Sequence, residues 1–272
     1  MVNGYFARTI DEALKIRAEH KVIPYAGGTD LMVENPPSPT YLFIGKVPEL
    51  RGIRSDDSHI RIGAAVTFTE ALRSDLTPQF MKEAVSRIAA PAIRNAGTFG
   101  GNLGNGSAKA DSVLIEYAMD AKLRLLSLRG ERILPVEEFY RGRKQTALAE
   151  DELIAEILLP KTGYQDYYYQ KVGGRSALAI SRVSFAAVFE KKEGKITKLN
   201  AAFGAVAPTV LRYRELEREM IGRSIEEAHG HCGEYLKAYS DRMQLTEGRV
   251  SAEYRKAVCM CLLSDFLESH GI

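Results

Sequence analysis

Apolar and polar positions alternate with two different periods along this chain. Ala13, Leu14 and Ala18 recur at helical spacing after Thr9-Ile10-Asp11-Glu12, which has the form of a capping box, so a short helix is predicted there. Lys21–Ala26 reads as a strand that Gly27-Gly28 stops, and Thr40–Gly45 and His59–Ala65 read as two more. Thr67-Phe68-Thr69-Glu70 is a second capping box, opening a helix through Arg73. Thr77 with Pro78 predicts another, with Phe80, Met81, Ala84, Val85 and Ile88 on one face and Pro91 as its stop. "DSVLIEYAMDA" predicts two helical turns, "KLRLLSLRGERIL" a hairpin turning at Arg129-Gly130, and "ELIAEILLP" a strand ending at Pro160.

The composition changes at "KTGYQDYYYQK", the predicted domain boundary. Beyond it "YYYQKV", "VSFAAVFEKK" and "KITKLNAAFGAVA" read as strands, the last two joined by a Glu193-Gly194 turn. Helices close the chain. The clearest is 251–268, with Tyr254, Ala257, Val258, Cys261, Leu262 and Phe266 on one face. Strands and helices mixed without regular alternation predict an α+β fold rather than a doubly wound sheet.

Charge narrows the function. With 37 basic and 35 acidic residues in 272, the surface carries no signal for nucleic acid or a membrane surface. No apolar stretch approaches the length of a membrane span, and "MVNGYFARTIDEA" does not read as a signal peptide. Three cysteines offer no disulfide framework, which fits a reducing cytoplasm. Cys259 and Cys261 fall on different helix faces, and "HGHC" (His229–Cys232) is better read as helix surface than as half a metal site.

Two glycine-rich segments, both read as loops, carry the candidate chemistry. The first is "YAGGTDL", Tyr25–Leu31. The second is "TFGGNLGNGS", and five of the ten residues from Gly97 to Gly106 are glycine. Neither is a dinucleotide fingerprint or a P-loop. Their chemistry is that of anion binding: absent Cβ atoms let backbone N–H groups converge on phosphate oxygens, and a following helix adds its positive end. Thr29 and Thr98 can donate hydroxyls and Asn102 an amide. Asp30 would repel a phosphate and reads as a loop anchor or helix cap. Together the two segments could hold both ends of one pyrophosphate.

"AGGTDL" followed by "IRNAGTFGGNL" and "ADS" resembles the flavin-binding subunit of the molybdenum hydroxylases, the xanthine, carbon monoxide and nicotinate dehydrogenases. The likeness continues through "DELIAEILLP", "YYYQKVGGRSALAIS", "AFGAVAPTVLR" and "SAEYRKAVCMCLLSDFL". It implies a two-subdomain FAD-binding domain of the vanillyl-alcohol-oxidase type over 1–160, divided near residue 55. A smaller α+β domain over 161–272 is implied to follow. It implies non-covalent FAD, with Ala26, Gly27, Gly28, Thr29 and Asp30 around the pyrophosphate and Thr98, Gly101 and Asn102 lining it. Asp111 is implied to hold a ribose hydroxyl, Leu153 and Ile154 to pack against the cofactor, and Lys171 to reach toward it. No catalytic acid or base and no metal ligand is implied on this chain.

The implied activity is electron relay. Electrons from a molybdopterin large subunit would pass through a small subunit's two [2Fe–2S] clusters to FAD here, then to NAD or another acceptor. Many relatives carry an acidic residue after the matching lysine; here Ala177-Leu178-Ala179 stands there, so NAD does not carry over with the rest. "NGSAKADS" replaces a commoner proline-containing loop, and three cysteines cannot supply a cluster's four ligands. Two other classes stay open: a free-standing FAD-dependent oxidoreductase, and a non-catalytic nucleotide-binding assembly protein.

Overall fold

The computed structural model describes residues 3–34 and 36–272. The chain forms two compact units, Met1–Ser107 with Asp120–Lys161, and Ala108–Met119 with Thr162–Ile272.

The first unit opens with β1 (Asn3–Phe6), α1 (Ile10–Glu19), β2 (Ile23–Tyr25), α2 (Leu31–Glu34) and β3 (Thr40–Phe43). The three strands form a parallel sheet in the order β1-β3-β2. Helical crossovers are what parallel neighbours require, and α1 and the single turn of α2 supply them. Ala13 and Leu14 face the core as predicted, whereas Ala18 is exposed. Thr9 Oγ accepts from the Glu12 N–H at 3.2 Å, but the Glu12 carboxylate takes the Arg8 N–H instead of that of Thr9. The box is therefore only half formed. Leu42, Val47 and Leu50 fill the core here and meet Leu153 and Ala155 of a later strand.

Next come β4 (Ile53–Ser55), β5 (His59–Gly63), α3 (Phe68–Arg73), α4 (Gln79–Ser86), α5 (Pro91–Arg94) and α6 (Phe99–Gly104). The Thr67 box is complete, its hydroxyl and the Glu70 carboxylate each taking the other's backbone N–H. The Thr77 hydroxyl caps nothing, because Pro78 occupies the cap position of α4. Pro91 does not end that helix. Arg87 caps it, Ala89 turns the chain at a positive φ of 42°, and Pro91 opens α5. Arg94 Nη1 holds the Ile88 and Ala89 carbonyls at 2.7 Å each, which fixes the turn between α4 and α5. The second glycine segment is not a loop: Phe99–Gly104 is helical.

Helix α7 (Asp111–Ala118) belongs to the second unit, and every one of its residues is buried. The first unit resumes with β6 (Lys122–Ser127), β7 (Gly130–Pro135), α8 (Val136–Phe139), β8 (Tyr140–Gly142), β9 (Gln145–Thr146) and β10 (Leu153–Pro160). An antiparallel sheet runs β4-β5-β10-β6-β7. Ser127 pairs with Gly130, so the β6–β7 hairpin turns at Leu128-Arg129, one residue earlier than its glycine suggests.

The second unit contains β11 (Asp166–Val172), β12 (Val183–Lys192), β13 (Lys195–Gly204) and β14 (Leu211–Arg212) in one antiparallel sheet. Helices α9 (Arg214–Met220), α10 (Ile225–Arg242) and α11 (Ala252–Ser269) complete it. Phe185, Phe203, Tyr235, Tyr239 and Phe266 form its buried centre. The buried face of α11 is Arg255, Cys259, Leu262, Leu263, Phe266 and Leu267, and Tyr254, Ala257 and Cys261 face outward. The predicted stripe is offset because Arg255 points inward, its Nη1 donating to the Thr246 carbonyl at 2.8 Å. The pattern of apolar positions alone treats an arginine as surface. "HGHC" lies within α10, with His229 exposed and His231 Nδ1 2.9 Å from the Glu234 carboxylate. No helix among the described residues is long and apolar enough to cross a membrane.

Candidate functional site

A cavity of about 350 Å³ lies within the first unit. Ala26, Gly27, Gly28, Thr29, Asp30, Thr98, Gly101, Asn102, Leu153 and Ile154 all line it. The sequence-predicted residues it does not bring together with these are Asp111 and Lys171. Both lie in the second unit, where Lys171 Nζ donates to Asp111 Oδ2 at 2.7 Å. Ser181 Oγ donates to Asp111 Oδ1 at 2.8 Å, so this buried carboxylate is held through both oxygens.

The first glycine segment leaves β2 and is pulled tight by the second. A Cβ on Gly27 would lie 1.8 Å from the Ala96 carbonyl oxygen, so only glycine allows that approach. Gly28 has φ +70°, and a Cβ there would meet the Tyr25 hydroxyl oxygen at 2.1 Å and its ring at 2.2 Å. These two glycines therefore serve the chain's own packing. Beyond them α2 starts, with the Glu34 N–H donating to the Asp30 carbonyl at 2.9 Å. The N–H groups of Gly27, Gly28, Thr29 and Asp30 donate to no backbone carbonyl of the described residues. A run of four such donors on a cavity wall is a cradle for an anion. With only one turn in α2, the amides themselves outweigh any helix-dipole contribution.

The second segment works differently from the expectation. Phe99 N donates to Val66 O at 3.1 Å, Gly100 N to Ala64 O at 2.8 Å, and Asn102 N to Thr98 O at 2.9 Å. Gly101 N donates to the Thr98 hydroxyl oxygen at 3.1 Å. The amides at the start of α6 are thus already satisfied. What this segment offers a ligand is the Thr98 hydroxyl proton and open space beside Asn102. A Cβ on Gly104 would meet nothing closer than Ile154 Cδ1 at 3.8 Å, so that position widens the cavity.

The far wall is apolar. Leu153 and Ile154 are neighbours on β10, where successive side chains normally point to opposite faces. The register with β6 shifts between Ile154 and Glu156, and such an irregularity re-aims side chains. Phe68, Ile23 and Leu148 extend the wall.

Asp30 is the anchor that the sequence reading gave it: its Oδ2 accepts from Asn105 Nδ2 at 2.8 Å. Asn105 and Lys144 were not predicted. Asn105 was readable only as one more polar residue in a glycine run. Lys144 gave no signal, because it reaches the cavity from the turn between β8 and β9, forty residues on. It adopts a positive φ of 55° and pairs with Glu34. Among the lining residues the charged side chains are Asp30, Glu34 and Lys144.

Comparison with known proteins places this geometry. The family model described as "FAD binding domain in molybdopterin dehydrogenase" matches residues 1–162, and "CO dehydrogenase flavoprotein C-terminal domain" matches 167–270. The chain belongs to this family of FAD-binding oxidoreductase subunits. A xanthine dehydrogenase FAD-binding subunit of Escherichia coli O157:H7 is 33% identical, over 78% of this chain and 76% of that protein. A nicotinate dehydrogenase FAD-subunit of Eubacterium barkeri is 31% identical, over 80% and 79% respectively. Among solved structures, a carbon monoxide dehydrogenase chain from Hydrogenophaga pseudoflava superposes with a TM-score of 0.88 at 25% identity, covering 97% of this chain and 95% of that one. The α+β architecture follows that chain throughout. The residues lining the cavity fit the chemistry of such a cofactor: backbone amides without a backbone carbonyl partner among the described residues on one segment, and apolar side chains from β10.

Proposed function

We propose that this chain is the FAD-carrying relay subunit of a multisubunit molybdenum hydroxylase. The observation that carries the reading is the cavity of the first unit, in which both glycine segments meet at a row of unengaged amides. The Gly27–Asp30 amides hold diphosphate oxygens, and Thr98 and Asn102 supply further donors. Leu153 and Ile154 exclude water from the cofactor's flank. Within the second unit, Lys171 and Ser181 keep the Asp111 carboxylate oriented. When bound, FAD would supply the redox chemistry of the relay. The chain supplies binding and orientation and no general acid or base.

Electrons reach this subunit from a small subunit with two [2Fe–2S] clusters, fed by a molybdopterin large subunit, and leave to an external acceptor. Three cysteines cannot supply the four ligands of a cluster, so this reading assigns the clusters to partners. Phe6 and Val33 stand 74% and 83% exposed in the first unit, apolar area of the kind a partner covers. The test is FAD titration of the purified chain followed by acid precipitation. One FAD per chain, released into the supernatant, supports the reading. A chain that takes up none refutes it.

A further inference from the structure

Of the three charged side chains lining the cavity, two are carboxylates. A site for a diphosphate dianion is thus walled by more negative than positive charge, and its one ammonium is spent on Glu34. That pair is not a buried lock: the side chains of Lys144 and Glu34 are 53% and 43% exposed, so exchanging one partner for another costs little.

The backbone around Lys144 is far less free than its side chain. Lys144 N donates to the Gly106 carbonyl at 3.0 Å, and a Cβ on Gly106 would lie 2.9 Å from Lys144 Cα. The β8–β9 turn is thereby clamped to the end of α6. Lys144 itself sits in the left-handed region, which a lysine occupies only when its surroundings hold it there. The result is a fixed Cα at the cavity wall bearing a long cationic side chain with a weak, exchangeable partner.

We infer that Lys144 is the counter-ion of the cofactor's diphosphate, which it engages by releasing Glu34. The inference rests on the FAD-binding reading of the cavity. It makes Glu34 a competitor for the ammonium and not a ligand. The two residues therefore act on FAD binding with opposite signs. A pair that merely tied α2 to the β8–β9 turn would act with the same sign on removal of either member.

The experiment uses the full-length apo chain, titrated with FAD and with ADP at two salt concentrations. Lys144→Met is expected to weaken FAD about tenfold, the scale of one charge-assisted contact. Glu34→Gln is expected to tighten it a few-fold. ADP should show the same order, because it shares the diphosphate, and added salt should shrink both effects. Equal weakening by both variants, or no change in either, overturns the counter-ion. A wild-type chain that binds neither FAD nor ADP overturns instead the functional reading beneath it.

Discussion

Asn105 Nδ2 donates to Asp30 Oδ2 across 2.8 Å, joining two glycine segments that are 75 residues apart in sequence. Each segment carries donors that are useful only if the other is in place. Asp30→Ala and Asn105→Ala should therefore weaken FAD binding by similar amounts, about three- to tenfold, as expected for one hydrogen bond to a charged group that is partly exposed. The double variant should be little worse than either single one, since both remove one tether. Fluorescence titration of FAD against the four proteins measures this, and simple additivity would show that the two residues act separately.

The glycines divide by what a side chain would meet. Gly28→Val places a branched side chain on a left-handed backbone and into the Tyr25 ring, so it should lower the thermal midpoint as well as FAD uptake. Gly104→Val projects beside Ile154 into open cavity, so it should keep the wild-type midpoint and lose FAD affinity. Circular dichroism melts with parallel FAD titrations separate the two. Normal FAD binding by a folded Gly104→Val protein would remove α6 from the site.

Glu116 of α7 is fully buried, and neither carboxylate oxygen has a hydrogen-bond partner. Burial pushes its carboxyl well above the ordinary range, so the folded chain keeps a proton that the unfolded chain gives up. Stability from this group is thus complete below the unfolded value near 4.5 and falls as pH rises toward the folded one. In that window each pH unit costs about 1.4 kcal/mol. Glu116→Met should be more stable than wild type at pH 8, with a smaller gain at pH 5. Urea midpoints at the two values test this, and an equal difference at both would show that Glu116 does not titrate on unfolding.

In the second unit Arg212 and Glu217 form a two-pronged pair at 2.8 and 2.9 Å with almost no exposure. Glu217 Oε1 also accepts from Ala201 N at 2.9 Å. Glu217→Ala leaves a buried guanidinium and a buried amide without that partner, so a loss of about 3–5 kcal/mol is expected. Replacing both residues, Arg212→Met with Glu217→Leu, should recover much of it. Chemical denaturation of the single and double variants decides, and a loss under 1 kcal/mol for the single change would contradict the role given to the pair.

Much of this was legible in the chain. The longer strands of both units and the Thr67 capping box were readable from periodicity and turn chemistry, because those are local, whereas the short strands β1, β4, β8, β9 and β14 were not read. Ten of the predicted cofactor residues share one cavity because the motifs carrying them are short and close to the backbone. What escaped was set by tertiary contact. Glycine density at 97–106 suggested a loop of free amides, but the segment is helical, and the Val66 and Ala64 carbonyls and Thr98 take its first amides. Arg255 is turned inward by the Thr246 carbonyl, and Lys144 reaches the cavity only because Gly106 clamps its turn. No window of sequence contains either partner's position in space.

The proposed relay implies that this subunit cannot itself withdraw electrons from a hydroxylatable substrate. The most direct measurement is the visible flavin absorbance of the FAD-loaded chain under anaerobic conditions, on adding purines, N-heterocycles or aldehydes, alone and assembled with a [2Fe–2S] small subunit and a molybdopterin large subunit. The prediction is no bleaching alone and rapid bleaching by one substrate class in the assembly. Bleaching of the lone chain by such a substrate would contradict the relay and make it a free-standing oxidoreductase.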